Sequence, residues 1–207
     1  MGFRDGKWSQ LFLMLCVIAQ ATQWVACGAT SASYPYAKEP DPRRSEYVIG
    51  VPDVLRVRVW RHGDLGGDVQ VRPDGTVTFP LIGDVAAAGS TPTQMKKVIA
   101  QRLATYVKID ESAVSVEVSQ INSYRVTVNG NIASPGVLQA ARYLTVGEAI
   151  SLAGGPNQYS SPSEAVIVRT RPNGRVDRIP IRYDLLIEGR ALEQDIVLLS
   201  GDLVYVP

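Results

Sequence analysis

Two short helices, each opened by its own capping box and each set between runs of alternating apolar residues, restrict this chain more than any other feature of its sequence. In STPTQMKKVIAQRLATYV, Thr91 stands at the cap, Pro92 at the first helical position and Gln94 three residues past the cap. A threonine hydroxyl there accepts the N3 amide while the N3 side chain reaches back to the cap's own N–H. Met95, Val98, Ile99, Leu103 and Tyr106 recur on one face at helical spacing, which predicts a core stripe. LTVGEAISLAGG repeats the device with Thr145 and Glu148, and Gly154-Gly155 supplies the stop.

Strand signals surround both helices. Val54–Trp60 alternates Val and Leu with Arg56 and Arg58, the period of a half-buried strand with its arginines on the wet face, and Val114, Val116 and Val118 alternate in the same way. VQVRPDGTVTFPLIG reads as a hairpin joined at Pro73-Asp74-Gly75, where proline presets φ and glycine supplies a positive φ. Tyr124–Val128 is a strand that returns through Ser134-Pro135-Gly136, and AVIVRTRPNGRVDRIPI is a hairpin turning at Asn173-Gly174. RYDLLIEG predicts a helical turn or two, and GDLVYVP a last strand. Short strands interrupted by single helices imply an α+β fold of two small mixed-sheet domains. The closing VLLSGDLVYVP also echoes VIGVPDVLRVRV, with Asp202 answering Asp53 and Gly201 standing where Pro52 stands, which suggests two related units.

With 207 residues the chain is long enough for one large or two small cores, and its 21 basic and 20 acidic side chains nearly cancel. That balance gives no general pull toward nucleic acid or an anionic membrane. The first 27 residues have the order of an export signal: Arg4 and Lys7, an apolar run from Leu11 to Ala19 too short to span a bilayer, then small residues. Two cleavage readings stand side by side. Ala19-Gln20-Ala21 fits ordinary removal, whereas Val25-Ala26-Cys27-Gly28 resembles a lipobox that would make Cys27 a lipid attachment site, with Trp24 departing from the usual Leu. Residues 28–45, rich in Pro, Ser and charge without a period, are expected to be a flexible tether.

VIGVPDVLRVRVW, VRPDGTVTFPLIGDVAAAGSTPTQ, VTVNGNIASPGVLQ, LTVGEAISLAGG and the final GDLVYVP occur in the order found in bacterial outer-membrane polysaccharide export proteins, and from about Glu46 onward the chain resembles that family. The resemblance implies a polysaccharide export domain over 46–122, then one soluble-ligand-binding β-grasp (SLBB) domain over 123–207. Family members assemble as periplasmic rings that pass capsule or exopolysaccharide, so polysaccharide and further copies of the chain are the expected partners. The positions carried over are Asp53, Asp74, Gly75, Pro80, Gly83, Gly130, Pro135, Gly136, Gly154, Gly155, Gly201 and Asp202, expected as fold determinants, most of them in turns and caps. Pro52 departs from the family's usual Gly. Long family members continue into a second SLBB domain and a membrane helix. Neither follows Pro207, so a separate outer-membrane β-barrel is expected to supply the pore, with an inner-membrane co-polymerase on the other side. The expected location is the periplasm, against the inner leaflet of the outer membrane.

Catalytic signals are weak. His62 is the single histidine, Gly-x-Ser-x-Gly does not occur, and Gly154-Gly155-Pro156 lacks the lysine and spacing of a phosphate loop. No cofactor is expected, and the function expected is export without catalysis, with an envelope glycan- or solute-binding module as the alternative. One local cluster suggests contact chemistry: Arg169, Arg171, Arg175 and Arg178 flank the Asn173-Gly174 turn, placed to form a basic fork toward a polymer carboxylate or a neighbouring subunit's acid.

Overall fold

The computed structural model describes residues 34–207. The expected export signal and the readings of Cys27 lie outside the described residues.

Leu55, Val57 and Val59 are buried on one side of β1 (Val54–Val59) while Arg56 and Arg58 face outward, as the alternation predicts. β1 is the centre of a three-stranded antiparallel sheet, with β2 (Gly67–Gln70) on one edge and β5 (Val114–Gln120) on the other. β3 (Thr76–Phe79) and β4 (Gly83–Ala86) make a separate hairpin. The expected hairpin therefore forms one turn later: Pro73-Asp74-Gly75 does turn the chain, with Gly75 N–H donating to Arg72 O, but β2 pairs with β1, and β3 folds back through Pro80-Leu81-Ile82. α1 (Pro92–Leu103) packs across β5 and buries Met95, Ile99 and Leu103, with Val98 half-buried. Both arms of its capping box are made, Gln94 N–H to Thr91 Oγ1 at 3.3 Å and Thr91 N–H to Gln94 Oε1 at 2.9 Å. Tyr106 corrects the predicted stripe: α1 ends at Leu103, and three residues later the ring is exposed.

The second half is a five-stranded mixed sheet in the order β7-β6-β10-β8-β9. Its strands are β6 (Arg125–Gly130), β7 (Gly136–Gln139), β8 (Ala165–Thr170), β9 (Val176–Ile181) and β10 (Leu203–Val206). β10 runs parallel to β6 and antiparallel to β8, so the last strand enters between two earlier ones. α2 (Val146–Leu152) opens on the predicted Thr145–Glu148 box and buries Val146, Ala149 and Ile150 against β6. α3 (Tyr183–Ile187) adds Tyr183 and Leu186 to the same core. The architecture is α+β, with one hydrophobic cluster in each half.

Residues 34–45 are not a free tether. Two 3-10 turns, Tyr36–Lys38 and Pro42–Arg44, lay this strap along the second half, where Tyr36 Oη donates to Pro180 O at 2.5 Å. Its irregular composition conceals one acid, Glu39, a half-buried residue that pairs with Arg169 of β8 and with Arg171 just past its end.

Candidate functional site

The two echoed aspartates occupy the same turn. Asp53 N–H donates to Gly50 O and Gly50 N–H returns to Asp53 Oδ2 at 2.8 Å; Asp202 N–H donates to Leu199 O and Leu199 N–H returns to Asp202 Oδ2 at 2.7 Å. Both carboxylates are buried, 0% and 2% exposed. Asp53 also accepts Tyr47 Oη, Ser123 Oγ and the backbone amides of Asn122 and Ser123, the last two at 2.8 Å. It thereby ties the first strand to the segment that enters the second half. With every oxygen engaged, Asp53 has no free lone pair to offer a substrate.

Asp202 answers a cation. Arg169, 1% exposed, places Nε and Nη2 on Asp202, Nη2 on Val197 O at 3.0 Å, and Nη1 on Glu39 at 2.6 Å. Arg171 reaches Glu39 from the other side at 2.6 Å and Asp177 at 2.7 Å, and Tyr34 Oη donates to the same Glu39 carboxylate. Burial raises the Glu39 pKa, but hydrogen bonds from Arg171 and Tyr34 and the charges of Arg169 and Arg171 outweigh it, leaving it below the ordinary value. Hydrogen bonds from Arg175 and then Arg171 hold Asp177 down at about 2. Tyr34 is pushed up to about 12, first by burial and then by its bond to Glu39.

The structure takes Arg169 out of the expected basic fork. Arg169 is core, because β8 turns it inward onto Asp202; Arg171 and Arg175 are held by Glu39 and Asp177. Arg178 alone of the four is exposed without a carboxylate within 4.0 Å among the described residues. Most remaining motif positions serve turns: Pro80 and Gly83 bound the β3–β4 hairpin, Asp74 accepts Thr76 N–H at 3.0 Å beside Gly75, Pro135 and Gly136 lead into β7, and Gly154, Gly155 and Gly201 adopt positive φ. Gly130 has the sharpest requirement. At φ +100 its absent Cβ would lie 2.0 Å from Val206 O, so only glycine lets the end of β6 meet β10.

Among the concavities of the described residues, two differ in character. At the end of the three-stranded sheet an open groove of about 1090 Å³ runs beside Trp60, Arg61, His62, Lys108 and Asp110. Between the halves, a smaller cavity of about 300 Å³ is lined by Tyr47, Tyr124 and Tyr143, with Arg43, Arg142 and Glu148 at its mouth. Arg142 is taken by Glu148 at 2.8 Å, and Arg43 by Asp41 at 2.9 Å. Sequence reasoning missed Glu39, Tyr47 and the groove, whose members come from separated loops. Trp60, an indole at the end of a strand and beside two basic residues, was the one signal available. Among the described residues no group of three or more His, Cys, Asp or Glu is placed to hold a metal.

The polysaccharide biosynthesis/export protein family matches residues 41–119, and the SLBB domain family matches residues 125–180. The exopolysaccharide production protein ExoF of Rhizobium meliloti is 35% identical over 125 residues, covering 55% of this chain and 29% of the relative. The EPS I polysaccharide export outer membrane protein EpsA of Ralstonia nicotianae is 26% identical over 188 residues, 79% of this chain and 48% of the relative. The polysialic acid transport protein KpsD of Escherichia coli is 24% identical over 147 residues, 70% of this chain and 25% of the relative. The chain thus spans between a quarter and about half of the length of these relatives. An export domain followed by an SLBB domain defines a class of envelope transport components that are not enzymes. Residues 41–119 and 125–180 thus carry the export domain and the SLBB domain of the polysaccharide export protein family.

Proposed function

We propose that this protein is a periplasmic component of a polysaccharide export conduit at the outer membrane, acting as a homo-oligomeric ring. The observation that carries the reading is the succession of an export domain and an SLBB domain in one chain, beside its similarity to relatives named for capsule or exopolysaccharide export and production. The physical form of the second half is consistent with assembly. Among the described residues β7 and β9 are the unpaired edges of a five-stranded sheet, and Val137 and Val176 on them are 63% and 56% exposed. Edges of this kind are covered when subunits pack head to tail in a closed ring.

In this reading an outer-membrane β-barrel completes the path for the polymer, and an inner-membrane co-polymerase delivers it. Native mass measurement of the full chain, with and without solubilised membranes, tests the ring: a closed oligomer is expected, and a strict monomer in both settings contradicts it. Pull-down from the same membranes is expected to recover the barrel. The tyrosine-lined cavity between the halves supports a second reading, a glycan- or solute-binding module, since its volume falls at the lower end for small-ligand sites. A monomer that binds a small solute there and leaves polymer release unchanged would favour that reading.

A further inference from the structure

We propose that the groove beside Trp60 is a subsite for an anionic glycan, with the indole stacking on a sugar ring and Arg61 and Lys108 meeting its carboxylates. The proposal rests on the export reading, which supplies the polymer, and deepens it by naming a polymer class and a place of contact.

Trp60 is 71% exposed, an unusual position for the largest apolar side chain, and yet its backbone is held firmly. Trp60 N–H donates to Ala113 O at 2.8 Å, the preceding Val59 is in the core, and Leu65 is buried five residues on. Between these anchors Arg61 sits at φ +63, in the left-handed region that non-glycine residues seldom enter. Gly66 closes the loop against β1, where a Cβ would lie 2.6 Å from Val57 O. The loop is thus pinned at both ends and presents its aromatic outward, a preorganised platform rather than a loose side chain.

The charges around the platform divide into engaged and available groups. Arg56 forms a two-pronged pair with Asp68 at 2.7 and 2.8 Å, and Arg58 lies 3.8 Å from Glu117. Arg61 and Lys108 have no carboxylate within 4.0 Å among the described residues, and Asp110 is the one acid of the lining left without a cation. The groove keeps a surplus of positive charge beside an exposed π-face. A uronic acid residue matches both, because its ring C–H groups present a weakly positive face to the indole while its carboxylate pairs with guanidinium or ammonium. A neutral glycan would use the indole alone. A nucleic acid would find little attraction in a chain whose net charge is +1.

The test is calorimetric titration of the full chain with galacturonate oligomers and with the same oligomers as methyl esters. The acid form is expected to bind, and the ester to bind about tenfold more weakly. Trp60→Ala is expected to lower affinity by about tenfold and Trp60→Phe to retain most of it. The double change Arg61→Gln, Lys108→Gln is expected to weaken binding and flatten its salt dependence. All these side chains are exposed, and unchanged thermal melting checks that the variants are folded. Absence of binding to the acid oligomer overturns the proposal, as does equal binding by wild type and Trp60→Ala. A Trp60→Ala protein that changes oligomer size but not glycan binding also overturns it, assigning the indole to a protein contact. Failed binding with polymer release that still depends on this protein removes the subsite and leaves the export reading standing. Binding with release that is independent of the protein does the reverse.

Discussion

Asp53 and Asp202 are two solutions to the same local problem, a buried carboxylate closing a turn just ahead of a strand. Asp53 is satisfied entirely by neutral donors, whereas Asp202 is held by a buried guanidinium. Removing one partner of a buried ion pair leaves an uncompensated charge, so Asp202→Ala should destabilise the fold by about 3–5 kcal/mol, read by denaturant unfolding. An exposed-pair change such as Arg56→Ala should cost less than about 1 kcal/mol, and equal losses would contradict this account of the network. The acids of the strap contact give a pH signature. Glu39 and Asp177 both have folded pKa values lowered from their ordinary ones, so the folded state binds fewer protons than the unfolded chain. Their contribution is complete above the unfolded values near about 4 and is lost as pH falls through the folded ones, to about 2 for Asp177. The protection of amides in residues 34–45, relative to their intrinsic exchange at each pH, should therefore fall below about pH 4, and Glu39→Gln should remove part of that fall.

Elements whose causes are local were legible in the sequence. The Thr91 and Thr145 boxes, the Asn173-Gly174 turn and the alternation of β1 each depend on residues within a few positions, and each formed where expected. The Pro73-Asp74-Gly75 turn was legible as a turn but not as a pairing, because β2 is claimed by β1, whose apolar side faces the core. The strap was illegible for a different reason: Glu39 and Arg169 are 130 residues apart, and neither carries a local sign of the other. The same separation hid the burial of Arg169, which in sequence looks like any outward strand arginine. Thr145→Ala should cost about 1 kcal/mol through the lost cap. Gly130→Ala, forced to a positive φ and into Val206 O, should cost more than about 2 kcal/mol. A Gly130→Ala protein as stable as wild type would mean that β6 and β10 do not meet as described.

The chain has two small cores joined through Asp53, and its two halves match the polysaccharide biosynthesis/export and SLBB families. The proposed function is that it moves polymer rather than makes it. Pulse-labelling of polysaccharide in a strain lacking this protein, with label partitioned between cell-retained and extracellular fractions, separates the two directly. Export predicts that total labelled polymer stays near the wild-type level early in the chase while the extracellular share collapses, and that the intact gene restores release. A proportional fall in both fractions, or an unchanged extracellular share, would contradict it.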